Sequence, residues 1–336
     1  MEKVKSSPKL KFSMLEIDGS RLEGGGQIVR NAVALSVVTG KPVRVYNIRA
    51  NRPNPGLKNQ HMHSIMALRE LCDAEVDGLF LGSREIKFVP GEPRKKRIKV
   101  EIPTAGSITL AMQSLWLPCS LKGCEVEFVG GATDTKWSMP MDYVRFVFLP
   151  QVKKLGFEAE VEIHRRGYYP RGGAHVTFKI GKWKPEPYEF ERGGKKGIFG
   201  VSCSSIEGVA ERQKKAALRC LGEGEIEAVY EDAPSPGSSI VIWADYEKTL
   251  IGADALGEKG KPSEVVGREA CERLLLEMER GWSVDEHMGD NLVPFIALSG
   301  GSFTTELSMH TRTSVWVCNL FGLDVKVEGH KVWSKK

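Results

Sequence analysis

Apolar and polar positions along the chain switch repeatedly between a helical period and a period of two. From residue 26 the apolar residues follow helical spacing through Ala32, Leu35 and Val38, stop at Gly40, and give way to alternation in Val43-Arg44-Val45-Tyr46. The same rhythm returns from Ala105-Gly106 through Leu110, Met112 and Leu115 to Gly123, then Glu125-Val126-Glu127-Phe128. It returns again over 313–320, Gly322 and Asp324-Val325-Lys326-Val327. Helix, terminal glycine and alternating strand are boundary signals with a mechanism: glycine enters the left-handed conformation that ends a helix, and alternation puts one strand face in a core. A second type of helix-to-strand unit lies between them, over 63–71 with 74–76 and over 143–155 with 158–163.

These segments predict a layered α/β (α+β) fold built from three related helix/sheet modules. The rhythm breaks near residue 182. A lysine- and proline-rich stretch (182–187) and a glycine- and lysine-rich one (192–197) precede strand-like 198–203, helix-like 208–221 and strand-like 239–244. A helix is expected over 263–279. The division predicted is a large domain of 1–181 and 279–336, carrying the three modules, with a smaller α/β domain inserted at 182–278. Pro234-Ser235-Pro236-Gly237 should form a surface turn of the insert.

Composition narrows the class. A chain of 336 residues that is 41% hydrophobic and 27% charged buries a sizeable core and is not a disordered protein. A net charge of +5 suits a polyanionic ligand without requiring nucleic acid. The seven cysteines are odd in number, widely spaced and free of CxxC pairs, which predicts mostly reduced thiols in a cytoplasmic protein and no zinc site. No run of about 18 apolar residues suggests a membrane span. Residues 1–11 are basic and polar and read as no secretory signal.

The densest chemistry lies at 48–61, where Arg49 and Arg52 flank a turn stiffened by Pro53 and Pro55, followed by Lys58, Gln60 and His61. Guanidinium forks on a rigid loop suit phosphate, although a solvated basic loop has the same composition. Upstream, Glu23-Gly24-Gly25-Gly26 leads to Arg30. The triple glycine is either a tight turn or a means of bringing backbone N–H groups to an anion at a helix start. No GxxxxGK[ST] sequence and no strand-linked GxGxxG occurs, which excludes the common nucleotide loops. A polar cluster at Glu286-His287-Met288-Gly289-Asp290-Asn291 is followed by Ser308-Met309-His310 just before an apolar segment. A neutral histidine can attack phosphorus and form a labile phosphoramidate. Glu23 and Asp290 are carboxylates able to hold a divalent metal beside it.

Seven motifs in order carry a resemblance: DGSRLEGGGQIVR (18–30), IRANRPNPGLKNQH (48–61), AGSITLAMQS (105–114), GGATD (130–134), RRGYYPRGG (165–173), EHMGDN (286–291) and SMHTRT around His310. Together they are similar to the RNA 3′-terminal phosphate cyclases, in the catalytic, archaeal-like branch, over nearly the full length. The resemblance implies an ATP-dependent enzyme that converts an RNA 3′-phosphate to a 2′,3′-cyclic phosphodiester through a histidyl–AMP and then an RNA-adenylate. It implies His310 as the nucleophile and Gln113, His287, Met288, Gly289, Asp290 and Asn291 as ATP contacts. Glu23 and Asp290 would lie near magnesium or manganese. Arg30, Arg49, Arg52, Gln60 and His61 would face phosphate, with Pro140 and Tyr143 flanking adenine. The partner implied is RNA with a 3′-phosphate end, and neither sequence nor resemblance fixes the oligomeric state. Two departures stand out: His287 replaces a frequent aromatic residue, and Met309 replaces the usual cysteine before the histidine. The alternative reading is a non-catalytic relative that binds RNA in ribosome assembly, a class that lacks the nucleophilic histidine this chain retains.

Overall fold

The computed structural model describes residues 13–335, so the reading of 1–11 lies outside the described residues. The first module runs β1 (Leu15–Asp18), α1 (Gly26–Thr39), β2 (Val43–Tyr46), α2 (Asn59–Cys72), β3 (Glu75–Asp77) and β4 (Ile86–Val89). Val43 and Val45 are fully buried while their alternating neighbours are not, as the period of two requires. α1 ends at Gly40 with φ +71°. The sheet order is β1-β2-β4-β3, with β1 parallel to β2 and the other pairs antiparallel.

The second module repeats that plan. It comprises β5 (Arg97–Ser107), α3 (Ile108–Gln113), α4 (Trp116–Ser120), β6 (Cys124–Ala132), α5 (Met141–Tyr143), a π-helical turn (Val144–Phe148), α6 (Leu149–Lys153), β7 (Ala159–Arg165) and β8 (His175–Ile180). Its order, β5-β6-β8-β7, matches the first sheet strand for strand, with the first pair parallel and the rest antiparallel.

The remaining elements are β9 (Tyr188–Glu189), β10 (Lys195–Ser204), α7 (Val209–Leu221), β11 (Glu225–Tyr230), β12 (Ser238–Tyr246), β13 (Leu250–Leu256), α8 (Ser263–Arg280), α9 (Glu286–Ser299), β14 (Gly301–Thr304), α10 (Met309–Leu320), β15 (Val325–Glu328) and β16 (Lys331–Ser334). A third sheet, read from β9, is β9-β14-β16-β15, again with one parallel pair and two antiparallel pairs. Three sheets of identical order and sense are the structural form of the repeated rhythm. The segment 182–278, read as an insert, contains β9, and β9 pairs with β14 of the third sheet. From β10 to α8 the chain builds its own sheet, β11-β10-β12-β13, backed by α7 and α8 around a separate apolar cluster. The other three sheets share one large core.

The reading of mostly reduced thiols holds for five of the seven cysteines. Cys220 on α7 and Cys271 on α8 form a disulfide, while Cys72, Cys119, Cys124, Cys203 and Cys318 are free and buried. Sequence spacing hid the pair because the two residues, 51 apart, meet only through the packing of two helices. Closing a loop of that length removes about 4 kcal/mol of unfolded-chain entropy in the simplest model. Reduction should therefore lower the melting temperature of the β10–α8 unit, and Cys220→Ser should abolish that sensitivity to reductant in thermal unfolding.

Candidate active site

His310 is the second residue of α10 and is exposed. It lines a cleft of about 440 Å³ with Gln27 and Arg30 of α1, Gln113 of α3, and Asp290 and Asn291 of α9. The β10–α8 unit supplies the facing wall, including Asp254 and Glu277. Burial, led by desolvation with the nearby Asp285 adding, lifts the Glu277 carboxyl to about 7.

A hydrogen-bond chain fixes the ring of His310. Its Nδ1 lies 2.8 Å from Gln27 Oε1, and Gln27 Nε2 donates to Ser314 Oγ at 2.8 Å. Ser314 Oγ also accepts from Asn31 Nδ2 at 2.9 Å and donates to the Asp290 carbonyl at 3.2 Å. Ser314 has given its only proton to the Asp290 carbonyl and has none to offer a flipped Gln27 oxygen. Gln27 must turn its oxygen to His310, so in the neutral ring the proton sits on Nδ1 and Nε2 keeps its lone pair. The start of α10 is pinned as well. Ser308 caps it by accepting from Thr311 N–H, and Asp290 Oδ1 accepts from the hydroxyls of Ser308 at 2.5 Å and Thr311 at 2.8 Å. Burial pushes the Asp290 carboxyl upward against those two donors.

Beside this lies a cationic pocket. Arg30, buried at the start of α1, donates from Nε to Gln113 Oε1 at 2.7 Å. Burial and the neighbouring Arg49 charge draw its guanidinium down to about 10 against the opposing pull of Glu23. His61 is buried, and its Nδ1 accepts from Lys58 N–H at 3.1 Å. Burial first, then Arg30, Arg49 and Lys58, holds it neutral, so its proton is on Nε2 and the Arg30 contact at 3.4 Å is donor facing donor. The half-buried Arg49 leaves Nε shielded from solvent with no partner. Burial and Arg52 both work against its charge. A donor-to-donor contact between Arg30 and His61, with the unpartnered Arg49 Nε and its charge nearby, describes a place suited to an anion. Gly26 admits them: a Cβ there would stand 2.1 Å from His61 Nε2.

The sequence-predicted residues divide on inspection. His287, Asp290, Asn291, Gln113, Arg30 and His310 line the cleft. Met288 is fully buried, and Gly289 is needed for packing, because its missing Cβ would meet Thr305 Oγ1 at 2.4 Å. Gln60 opens α2 beside Gly106 and lies outside the cleft lining. Pro140 and Tyr143, expected to flank adenine, lie behind the cleft wall. Tyr143 is fully buried and donates to Asp285 Oδ1 at 2.5 Å, while Asp285 Oδ2 accepts from Gly252 N–H at 2.8 Å. Its hydroxyl therefore ties α5 to β13 and the cap of α9. Gln27 and Ser314, which the motifs did not single out, support His310, and Trp137 stands at the cleft rim.

The carboxylates predicted to hold a metal are otherwise engaged. Glu23 accepts from Gly25 N–H at 2.6 Å and is salt-bridged to Arg52. Asp290 steadies α10. A divalent ion at Glu23 would meet the Arg52 charge, and among the described residues no group of three or more His, Cys, Asp and Glu side chains gathers as a ligand set. Glu23 and Asp290 do not fit as a protein-held magnesium or manganese pair.

His287 brings charge to the cleft wall. Its Nε2 lies 3.0 Å from Asp254 Oδ1 on β13. Burial opposes protonation, but the hydrogen bond and charge of Asp254, with Asp285 and Asp290 behind, lift it to about 9. A folded value above the ordinary 6.5 means that this pair stabilises the fold fully below pH 6.5 and ceases to do so as pH rises through 9. The pair is part-exposed, so the effect is small. Asp254→Asn should flatten the pH dependence of thermal unfolding between pH 6.5 and 9.5.

The profile of the family described as RNA 3′-terminal phosphate cyclase matches residues 21–328. A protein of Thermococcus kodakarensis named RNA 3′-terminal phosphate cyclase is 48% identical over 94% of this chain and 95% of its own. Proteins of the same name from Methanopyrus kandleri and Staphylothermus marinus are 47% and 44% identical, each over 94% of this chain and over 95% and 94% of their own lengths. A single family thus spans the modules, the β10–α8 unit and both halves of the cleft, and the chain belongs to the RNA 3′-terminal phosphate cyclase family.

Proposed function

We propose that this chain is an ATP-dependent enzyme that closes an RNA 3′-terminal phosphate to a 2′,3′-cyclic phosphodiester through a histidyl–AMP intermediate. The observation that carries the reading is the Gln27 hydrogen bond, which puts the His310 proton on Nδ1 and leaves Nε2 with its lone pair. Nε2 attacks the α-phosphorus of ATP, the N–P bond forms, and the bond to the bridging oxygen breaks as pyrophosphate leaves. Gln27 Oε1 accepts from the ring as positive charge develops on it. An in-line displacement sends pyrophosphate out opposite the histidine. An oxygen of the RNA 3′-phosphate then attacks the same phosphorus from that side and expels His310, making the RNA-adenylate. The 2′-hydroxyl finally attacks the RNA phosphorus, loses its proton and displaces AMP, helped by being held next to it.

In this scheme one anion pocket serves twice. The place vacated by pyrophosphate is the place the RNA 3′-phosphate must take, and Arg30, Arg49, Arg52 and His61 are the donors proposed to receive both. The β10–α8 unit, from about residue 191 to 281, is proposed as the inserted domain, with β9 left to the third module. Among the described residues no helix is long and apolar enough to cross a membrane, and a cytoplasmic setting suits an enzyme acting on RNA ends.

Incubation with α-labelled ATP and a divalent metal, then denaturing electrophoresis, tests the reading. A protein band that is acid-labile and hydroxylamine-resistant, chased by RNA ending in a 3′-phosphate, is the expected result. Absence of label on folded protein, with and without that RNA, would overturn it in favour of a non-catalytic RNA-binding role.

A further inference from the structure

Trp137 stands on the rim of the cleft, and the chemistry above does not use it. It is 93% exposed, and it is the one exposed tryptophan of the seven. Its φ is +62°, in a region that a bulky side chain seldom occupies. The segment around it is nevertheless well tethered. Lys136 Nζ lies 2.7 Å from Glu258 Oε2 on the facing unit, Ser138 Oγ donates to the Thr135 carbonyl at 2.8 Å, and Thr109 Oγ1 donates to the Met139 carbonyl at 2.8 Å. Contacts on both flanks hold a large apolar ring in a costly backbone conformation and in water. Packing does not account for that, and strain of this kind collects where a ligand is met.

We propose that Trp137 is the stacking platform for the base of the RNA's 3′-terminal nucleotide. The inference rests on the proposed reaction, which fixes where the two substrates meet. ATP brings its α-phosphorus to His310, and on that reading its nucleoside takes the stretch of lining formed by Leu110, Met139 and His287. The rim ring remains uncovered. RNA arrives second, and its phosphate must reach the same phosphorus, so its terminal base is confined to the neighbourhood of the mouth. A single-stranded 3′ end has a base with one unstacked face, and an indole supplies the missing partner. Every base has such a face, so the contact confers affinity without a base preference.

The test uses the full chain, two variants and two RNAs. Trp137→Ala should raise the KM for RNA ending in a 3′-phosphate by at least about fivefold, and Trp137→Phe should recover most of it. An RNA whose terminal nucleotide lacks its base should be used equally by wild type and Trp137→Ala. Label uptake from ATP alone is the second readout and should keep its ATP dependence in Trp137→Ala. An unchanged KM for intact RNA, or an equal loss on intact and abasic RNA, overturns the proposal. A raised ATP requirement in the absence of RNA overturns it too, by placing adenine on the ring. Failure of the proposed reaction itself gives a different signature, since wild type would then take up no label.

Discussion

His310→Ala is expected to lose all label transfer from ATP and all cyclisation of RNA, while unfolding at the wild-type temperature. The loss is complete because no other group in the cleft has the same combination of an unprotonated ring nitrogen and a fixed direction. His61 is held neutral, but it is buried with Nδ1 committed to Lys58. His287 is held protonated by Asp254 at neutral pH. The fold should not suffer, because His310 is exposed and gives α10 neither its cap nor its apolar face. Gln27→Leu is the informative companion. It keeps the nucleophile and removes the acceptor that selects its tautomer, so the label should form roughly 10- to 100-fold more slowly, the usual cost of losing a partner that orients a functional imidazole. Labelling time courses on the two variants, with melting curves, measure both effects. Residual label in His310→Ala would move the nucleophile elsewhere.

Much of this architecture was legible in the residues, and what was not has identifiable causes. Local signals served well where one element decides the outcome: Gly40 after α1, the alternation of β2, and the helix over 263–280 behave as their patterns require. The repeat was visible as a rhythm, but the matching strand order was not, since pairing is a tertiary property. β9 was missed because two residues just after a lysine- and proline-rich stretch carry no periodicity. The polar run at 286–291 hid the first turns of α9, whose interior also holds Pro294. At the site, residue types singled out Arg30, Arg49 and His310 as candidates for phosphate chemistry. They could not announce Gln27, because its role depends on Ser314 fixing its amide, some 287 positions away. Tyr143, singled out by type for a place beside adenine, is fully buried with its hydroxyl on Asp285, a placement its sequence neighbours do not reveal.

Arg49→Lys is expected to reduce cyclisation by roughly 100-fold, as removal of one preorganised donor to a developing anion typically does, although the charge is retained. Arg49 offers the proposed anion pocket a buried Nε–H that no protein acceptor takes. Lysine has no donor at that place along its stem and no planar fork. The stability of the variant should move the other way or not at all. Desolvation and the Arg52 charge disfavour the Arg49 cation, with only Glu23 opposing them, so the pocket without its ligand carries unfavourable electrostatics. Arg49→Met, which removes the charge and keeps a stem of similar reach, should therefore unfold at an equal or higher temperature while being at least as inactive. Pyrophosphate separates this account from a merely structural one. A pocket that receives both pyrophosphate and the RNA 3′-phosphate makes pyrophosphate compete with RNA in the wild type, and that competition should weaken in Arg49→Lys. Wild-type activity in the lysine variant, or pyrophosphate inhibition that added RNA does not relieve, would return Arg49 to the role of a solvated loop residue.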